Sequence, residues 1–384
     1  MEKITAQPAV EPRVVGAVVL YRLYDVGYEI DLERALDFFA ASPEDRETLR
    51  LNLEQRQRVE AQAIRIKNPP ITVTLGIERF DAAGRRYEAH VSARIFDFGV
   101  ISLRMRCDIP GALAWPAVAQ FGDSADLSRA ARAGFDRCIQ ELADRIAPAV
   151  VRPQIAPVSE DYVVYRFTRI EDAAGQSLSA SVLRELDVAP LLLNEDRPIS
   201  DQARKELLPH WFSYYPDDLS IITWNTALVL DPMEGESDVQ LILEFANAQL
   251  LELRYYDALL DAELPRMYDR IENARKGSGA LLGRRYASLL TGLQTLLADS
   301  TEIVERTQNA LKVTDDIFLA RVYGAALELF RERAWRAGID HKLGIIHQTY
   351  EMLNAESMAV RNEVLEVTIV VLIVVEIVLA ILMR

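Results

Sequence analysis

Two cysteines and four histidines are all that a chain of 384 residues offers for thiolate or imidazole chemistry. Cys107 and Cys138 are neither spaced as a metal clip nor numerous enough to staple a secreted fold, so a reduced compartment is the simpler expectation. His341 and His347 stand six apart, about 240° around a helix, and cannot share a metal from one face. The HExxH, CxxC and GxSxG motifs and the Walker lysine loop are all absent, which removes the sequence signals of the common zinc, thiol-redox, serine-hydrolase and nucleotide chemistries. The glycines of GSGALLG (Gly277, Gly279, Gly283) lack dinucleotide spacing and follow a helix, as a turn between helices would. Neither a metal nor a cofactor is expected.

A long basic stripe is missing too. The net charge is −15, and residues 151–250 carry 7 basic against 17 acidic side chains, a field that repels phosphate backbones and argues against direct nucleic-acid binding. The one locally basic stretch, Arg56 to Lys67, also holds Glu60 and suits a solvated helix face. The N-terminal MEKITAQPAVEPR has no apolar core and carries Glu2 and Glu11, so it fits neither a secretory signal nor an Arg-rich transit peptide.

What is present is a globular composition, 50% hydrophobic and 26% charged, in a chain long enough for two domains. The acidic pairs Asp217–Asp218 and Asp315–Asp316 could serve acid–base or metal chemistry. Their settings, after YYP and at a helix start, favour turn and capping roles.

RVVGAVVLYRLY (13–24) is β-branched and apolar and predicts a strand; DLERALDFFA predicts a helix with Asp31 as its N-cap. ITVTLGIERF, RRYEAHVSARIF and GVISLRMRC predict three more strands, the first two joined by a hairpin turn at Asp81 to Gly84. A helix from about Leu127 to Ile146 and a linker PQIAP (153–157) follow. YVVYRFTRI (162–170) echoes VVLYRLYDV (18–26), which raises a duplicated α+β unit with subdomains at 1–150 and 158–235.

From about Asp238 proline nearly disappears and apolar residues fall three and four apart, predicting long helices over 236–362 in an antiparallel hairpin or coiled-coil stalk. Leu243, Leu250, Leu253, Leu260, Leu264, Met267 and Ile271 belong to the first seam, with a kink or new turn at Pro265; a second seam runs from Leu282 to Ala310. A third helix is expected from Asp316 to Trp335, ending before Gly338. The last seam alternates steps of four and three from Ile339 through Leu343, Ile346, Tyr350, Leu353, Ser357, Val360, Val364, Val367, Val371, Val374 and Val378 to Ile381. Such a helix is on the order of 65 Å long, so its end should outrun any compact bundle.

Residues 364–383 are therefore expected to be a C-terminal transmembrane anchor. Leu365, Leu372 and Leu379 lie beside the seam valines, and no polar face exists. Arg361 and Arg384 flank the run, Glu366 lies near one interface, and Glu376 falls in the middle on the side away from the seam. A charge at that depth costs roughly 2.5–3.5 kcal/mol, so Glu376 should be protonated, paired or turned to a partner.

KLGIIHQTYEMLN (342–354), Arg361, the pair Leu365–Glu366, the run TIVVLIVV and Glu376 together resemble the C-terminal end of the "required for meiotic nuclear division" family. RTQNALKVTDDIFLARVY and FDFGVISLRM extend the resemblance more weakly. It implies a membrane-anchored, non-enzymatic protein. Mitochondrial members are associated with the inner membrane and with support of organellar translation, as a tether for the ribosome would be; since the N-terminus does not read as a transit peptide, a bacterial-type relative facing the cytoplasm is expected here. The combined expectation is an α+β N-terminal domain, a helical stalk and a bilayer anchor acting as a scaffold, with a homo-oligomer or protein partner bound through the stalk. The competing expectations are a small-molecule or metal sensor or enzyme in the α+β domain, and a soluble helical oligomer.

Overall fold

The computed structural model describes residues 11–39, 68–195, 197–233, 235–275, 291, 292, 294, 298, 314 and 316–382. The basic stretch 56–67, the GSGALLG turn, most of the 282–310 seam and Arg384 lie outside the described residues. Two compact units emerge: Met1–Glu252 with Ala310–Glu332, and Leu253–Asn309 with Arg333–Arg384.

The first unit is built on one sheet. Its elements in chain order are β1 (Arg13–Asp25), β2 (Glu29–Ile30), α1 (Leu32–Asp37), β3 (Ile71–Ala82), β4 (Arg85–Ile95), β5 (Val100–Asp108), β6 (Leu113–Ala114), α2 (Trp115–Phe121) and α3 (Ser124–Ile146). There follow β7 (Val150–Val151), β8 (Ser159–Glu171), α4 (Ala189–Leu193), α5 (Asp201–Leu207), β9 (His210–Phe212), β10 (Leu219–Ile222), β11 (Thr226–Leu230), α6 (Asp238–Arg275) and α7 (Ile317–Leu329). The last helix, α8 (Glu332–Leu382), belongs to the second unit from Arg333 onward.

The strand order is β3-β4-β5-β1-β8-β11-β10-β9, with β6 also pairing β1. β1 lies between β5 and β8 and is buried on both faces from Ala17 to Asp25, which is why its sequence is a near-continuous apolar run without alternation. The segments 1–150 and 158–235 thus share a single sheet and are not separate subdomains. The two echoing segments are neighbouring central strands, Val18 opposite Tyr165. The duplication survives only as strand order: β5 runs antiparallel to β1, whereas β11 runs parallel to β8. Likeness between the strands reflects a shared environment, buried on both faces.

Local signals behave as their chemistry demands. Asp31 accepts the amide of Arg34 to cap α1, and Asp123 accepts that of Asp126 to cap α3. The β3–β4 hairpin closes at Ala82 opposite Arg85, with Ala83 and Gly84 at φ 48° and 72°, the two positive values a type I′ turn requires. At Gly16 the register between β1 and β8 shifts, and an added Cβ would lie 2.1 Å from the carbonyl oxygen of Arg166. Only glycine fits that bulge.

α3 buries Leu127, Ala131, Phe135, Ile139, Leu142 and Ile146 on one stripe, within the same core as Val18, Leu20, Leu103, Met105, Tyr165 and Phe167 of the sheet. The other face of the sheet receives the first turns of α6, with Phe96 beside Phe245 and Tyr21 hydrogen-bonded to Gln240. α7 joins this layer through Phe318 on Phe212, Tyr323 on Phe245 and Phe330 on Tyr162.

PQIAP is strapped down: the amides of Gln154 and Ala156 donate to the carbonyls of Val26 and Asp25. The Asp25 carboxylate accepts the amide of Gly27 at 3.1 Å, but burial pushes its pKa up from 3.8 to about 7. The folded chain therefore keeps a proton that the unfolded chain releases, and this stabilising term is lost as pH rises from about 4 to about 7. Asp25→Asn retains the amide acceptor and removes the titration. Its urea midpoint should match the parent at pH 4 and exceed it at pH 8 by the equivalent of about 1–3 kcal/mol; equal midpoints at both pH values would refute the buried-proton account.

Candidate functional site

In the second unit, α6 from Leu253 and α8 from Arg333 meet along an apolar seam. Leu260, Met267 and Ile271 are buried on α6, and Ile339, Ile346 and Leu353, seven residues apart, are buried on α8. Lys342 Nζ donates to the Asp257 carboxylate at 2.7 Å and pairs with Asp261 at 2.7 Å. Burial works against this ammonium, but the two aspartates outweigh it and hold its pKa above the usual value. Arg254 stacks over Trp335.

The order of these contacts, 254 with 335 and 257 and 261 with 342, makes α6 and α8 parallel; the antiparallel expectation concerned helices consecutive in sequence, and the segment that would pair with α6, 282–310, lies mostly outside the described residues. Helices adjacent in space here are not adjacent in sequence, so the hairpin rule does not apply to them. α6 runs through Pro265 without a break. The third helix ends earlier than expected, at Leu329, because Arg331 takes the left-handed conformation (φ 54°). Gly338 instead lies inside α8, where its small size lets the Asp257 carboxylate approach.

α8 is 51 residues long, about 77 Å, and stalk and terminal segment form one uninterrupted helix. Past Leu353 the seam continues in sequence, but no described residue covers it. Leu365, Val367, Val371, Leu372, Val374, Val378 and Leu379 are each between 47% and 62% exposed, and they point to all sides of the helix. Glu366 and Glu376 are exposed as well. Arg361, Val364 and Ile381 belong to α8, but their side chains are outside the described set. Among the described residues no helix is long and apolar enough to cross a membrane.

The first unit holds a polar cluster that no sequence motif announces. Arg94 on β4 and Arg104 on β5 face the start of α6. Arg94 grips Glu236 through both terminal nitrogens, at 2.6 and 3.2 Å, and also bonds Glu244. Arg104 reaches the same Glu236 at 2.6 Å. Burial opposes ionisation of Glu236, yet Arg104 and Arg94 outweigh it and hold its carboxyl down at about 2. Gln240 donates to the Tyr21 hydroxyl at 3.0 Å, and burial together with the two glutamates pushes that hydroxyl far above its usual range.

Two guanidiniums balanced by two carboxylates leave neither a free base nor an activated nucleophile. The arrangement ties the sheet to α6, and its sequence signal is arginine at inward-facing strand positions.

One member of each acidic pair has a local role, and Asp315 lies outside the described residues. Asp218 accepts the Tyr214 amide at 2.7 Å in a turn, and Asp316 accepts the Leu319 amide at 2.9 Å as the α7 cap. His347 pairs with Glu351 on the surface of α8. Among the described residues no group of three or more His, Cys, Asp or Glu is arranged to hold a metal ion. Cys107 and Cys138 are free thiols, and burial pushes Cys107 up to about 12.

Residues 15–237 match the family described as "Uncharacterized protein MJ0711, N-terminal domain". The chain belongs to this family. The matched stretch runs from β1 to the residue before α6, so the MJ0711 N-terminal domain contains the sheet, both arginines and Glu236, while Glu244 and the long helices lie outside it. Uncharacterized protein MJ0711 of Methanocaldococcus jannaschii is 25% identical over 243 residues, covering 63% of this chain and 72% of that relative. No solved structure matches the chain. Neither match links the chain to the meiotic nuclear division family, and neither carries a stated activity.

Proposed function

We propose that the protein is a non-enzymatic scaffold or tether held on a lipid bilayer by the distal half of α8, with the α+β unit on the cytoplasmic face. One observation carries this reading: from Leu365 to Leu379 the helix exposes aliphatic side chains around its whole circumference, with Glu366, Thr368 and Glu376 the only polar residues. A water-facing helix needs a polar face, and a bilayer needs none. The resemblance of this end to the meiotic nuclear division family supports the same placement. The test is carbonate extraction of membranes from cells making the full chain. Retention in the pellet is expected, and intact full-length protein in the supernatant would overturn the anchor.

A second reading has its own support. The seam buried at Ile339, Ile346 and Leu353 continues in register through Val367, Val374 and Ile381, as it would if several copies bundled their terminal helices in water. Sizing of detergent-free protein separates the two, since only a soluble bundle runs as a discrete oligomer. Within the anchor reading, Glu376 lies opposite that seam and forms a second contact between helices. Glu376→Leu should leave membrane targeting intact or stronger while weakening assembly in detergent by about 1–2 kcal/mol, the range of polar contacts between membrane helices; unchanged assembly would remove that role.

A further inference from the structure

β9 ends the sheet, and no described strand lies along its outer side. Around it stands the densest exposed aromatic cluster among the described residues of the first unit. Tyr214 and Tyr215, 61% and 58% exposed, meet edge to face at 4.8 Å, and Tyr214 packs on Phe318 at 5.4 Å. Ile317, at the start of α7 beside them, is 81% exposed, and Met233 in the loop before α6 is 71% exposed. Large apolar side chains held in place by their neighbours and left in water mark interaction surfaces.

The register puts a ring of acids at this same end. Leu219 pairs with Leu230, so Asp218 and Asp231 leave the sheet side by side, with Asp217 adjacent and exposed. Asp231, Asp316 and Glu236 are close enough to Asp238 that, added to its burial, they raise the pKa of its carboxyl. The buried Arg166 lies 3.9 Å from the Asp231 carboxylate and bonds the carbonyls of Phe167, Asp231 and Met233, and the exposed Arg321 stands one turn along α7 from Ile317. Asp217, Asp218, Asp231, Asp238 and Asp316 outnumber these two cations, so among the described residues the surface is apolar in its middle and acidic around it.

That charge decides among occupants. A second copy docked on the same face would set acid against acid, and nucleic acid or an anionic bilayer surface would be repelled for the same reason. We propose that the Tyr214–Tyr215–Ile317 surface docks a basic segment of a partner protein, whose aliphatic residue packs among the rings while flanking Lys or Arg side chains pair with Asp217, Asp218 and Asp231. Tyrosine faces also favour cations directly. This goes beyond the anchor reading and does not depend on it.

The probe is a short fluorescent lysine-rich peptide with one central leucine, titrated by anisotropy against the full chain in mild non-ionic detergent, which keeps it in solution whether or not α8 inserts in a bilayer. Detergent alone serves as the blank, and a glutamate analogue of the peptide as the charge control. Saturable binding that weakens with salt is expected, with no binding of the acidic analogue. Tyr214→Ser combined with Ile317→Ser should weaken binding about 10-fold or more, as loss of central apolar anchors does. Asp217→Lys should weaken it about 3-fold, in the manner of a rim charge.

Binding of the double variant within twofold of the parent, or equal binding of the acidic analogue, would overturn the proposal. Should the double variant melt early, p-benzoylphenylalanine at position 214 decides instead. It must crosslink the peptide while the same group at Ile77, on the opposite edge strand and 49% exposed, does not; equal crosslinking at both sites rejects the surface.

Discussion

Cutting the chain after residue 363 should move it from the carbonate-resistant pellet to the supernatant. Between Val367 and Leu382 stand 13 Val, Ile and Leu residues. At insertion values of about −0.3 to −0.6 kcal/mol each they favour the bilayer by roughly 4–8 kcal/mol. Glu376 takes back roughly 2.5–3.5 kcal/mol, so under the proposed anchor reading one buried acid would weaken insertion without abolishing it. No described residue that packs the sheet core lies beyond residue 363, so the cut chain should lose only the helical signal of the removed end of α8 and unfold at the parent's urea midpoint. A cut chain that stays in the pellet would place the membrane contact elsewhere. A full-length chain that is already soluble, and a monomer only when cut, would favour the terminal-helix bundle.

Arg94→Met should cost the fold about 3–5 kcal/mol, the usual penalty for leaving a buried charge without its partner. Arg94 is 1% exposed and Glu244 2%, and the other nearby cation, Arg104, is 3.9 Å from Glu244 and committed to Glu236. Removing both ends should hurt less than removing one: Arg94→Met with Glu244→Leu replaces the pair by apolar volume and is expected to recover most of the loss. Chemical denaturation of the four chains gives the coupling directly, and additive losses would mean that the pair is not energetically linked. Since Arg104 and Arg94 hold the Glu236 carboxyl at about 2, its stabilising effect is full above its ordinary pKa of 4.5 and fades as pH falls toward 2. Glu236→Gln should flatten acid denaturation in that window.

The parts of this protein legible in the sequence are those written in short-range pattern. RVVGAVVLYRLY is apolar on both faces because it becomes a central strand, and the Asp31 cap and the 83–84 turn follow from the side-chain and backbone preferences of a few residues. The α8 seam could be followed from Ile339 onward because one helical period persists without interruption.

The ionic cluster was hidden for the opposite reason. Arg94, Arg104 and Glu244 are scattered through ordinary polar and apolar runs, and only the β4–β5 register and the landing of α6 bring them together. Likewise, the aromatic surface draws on Tyr214 and Phe318, which lie about a hundred residues apart and meet at one edge of the sheet.

By itself, the sequence determined the α+β character, the strands, caps and turns, and an aliphatic end with no polar face, because each depends on residues within one or two turns of one another. Tertiary structure alone decided that 1–150 and 158–235 close into one sheet through β1 and β8, that α6 and α8 run parallel, and that the last helix begins at Glu332 rather than after Gly338. Strand partners and helix neighbours are chosen by hydrogen bonds and burial between distant segments, and local periodicity does not encode which segment is opposite.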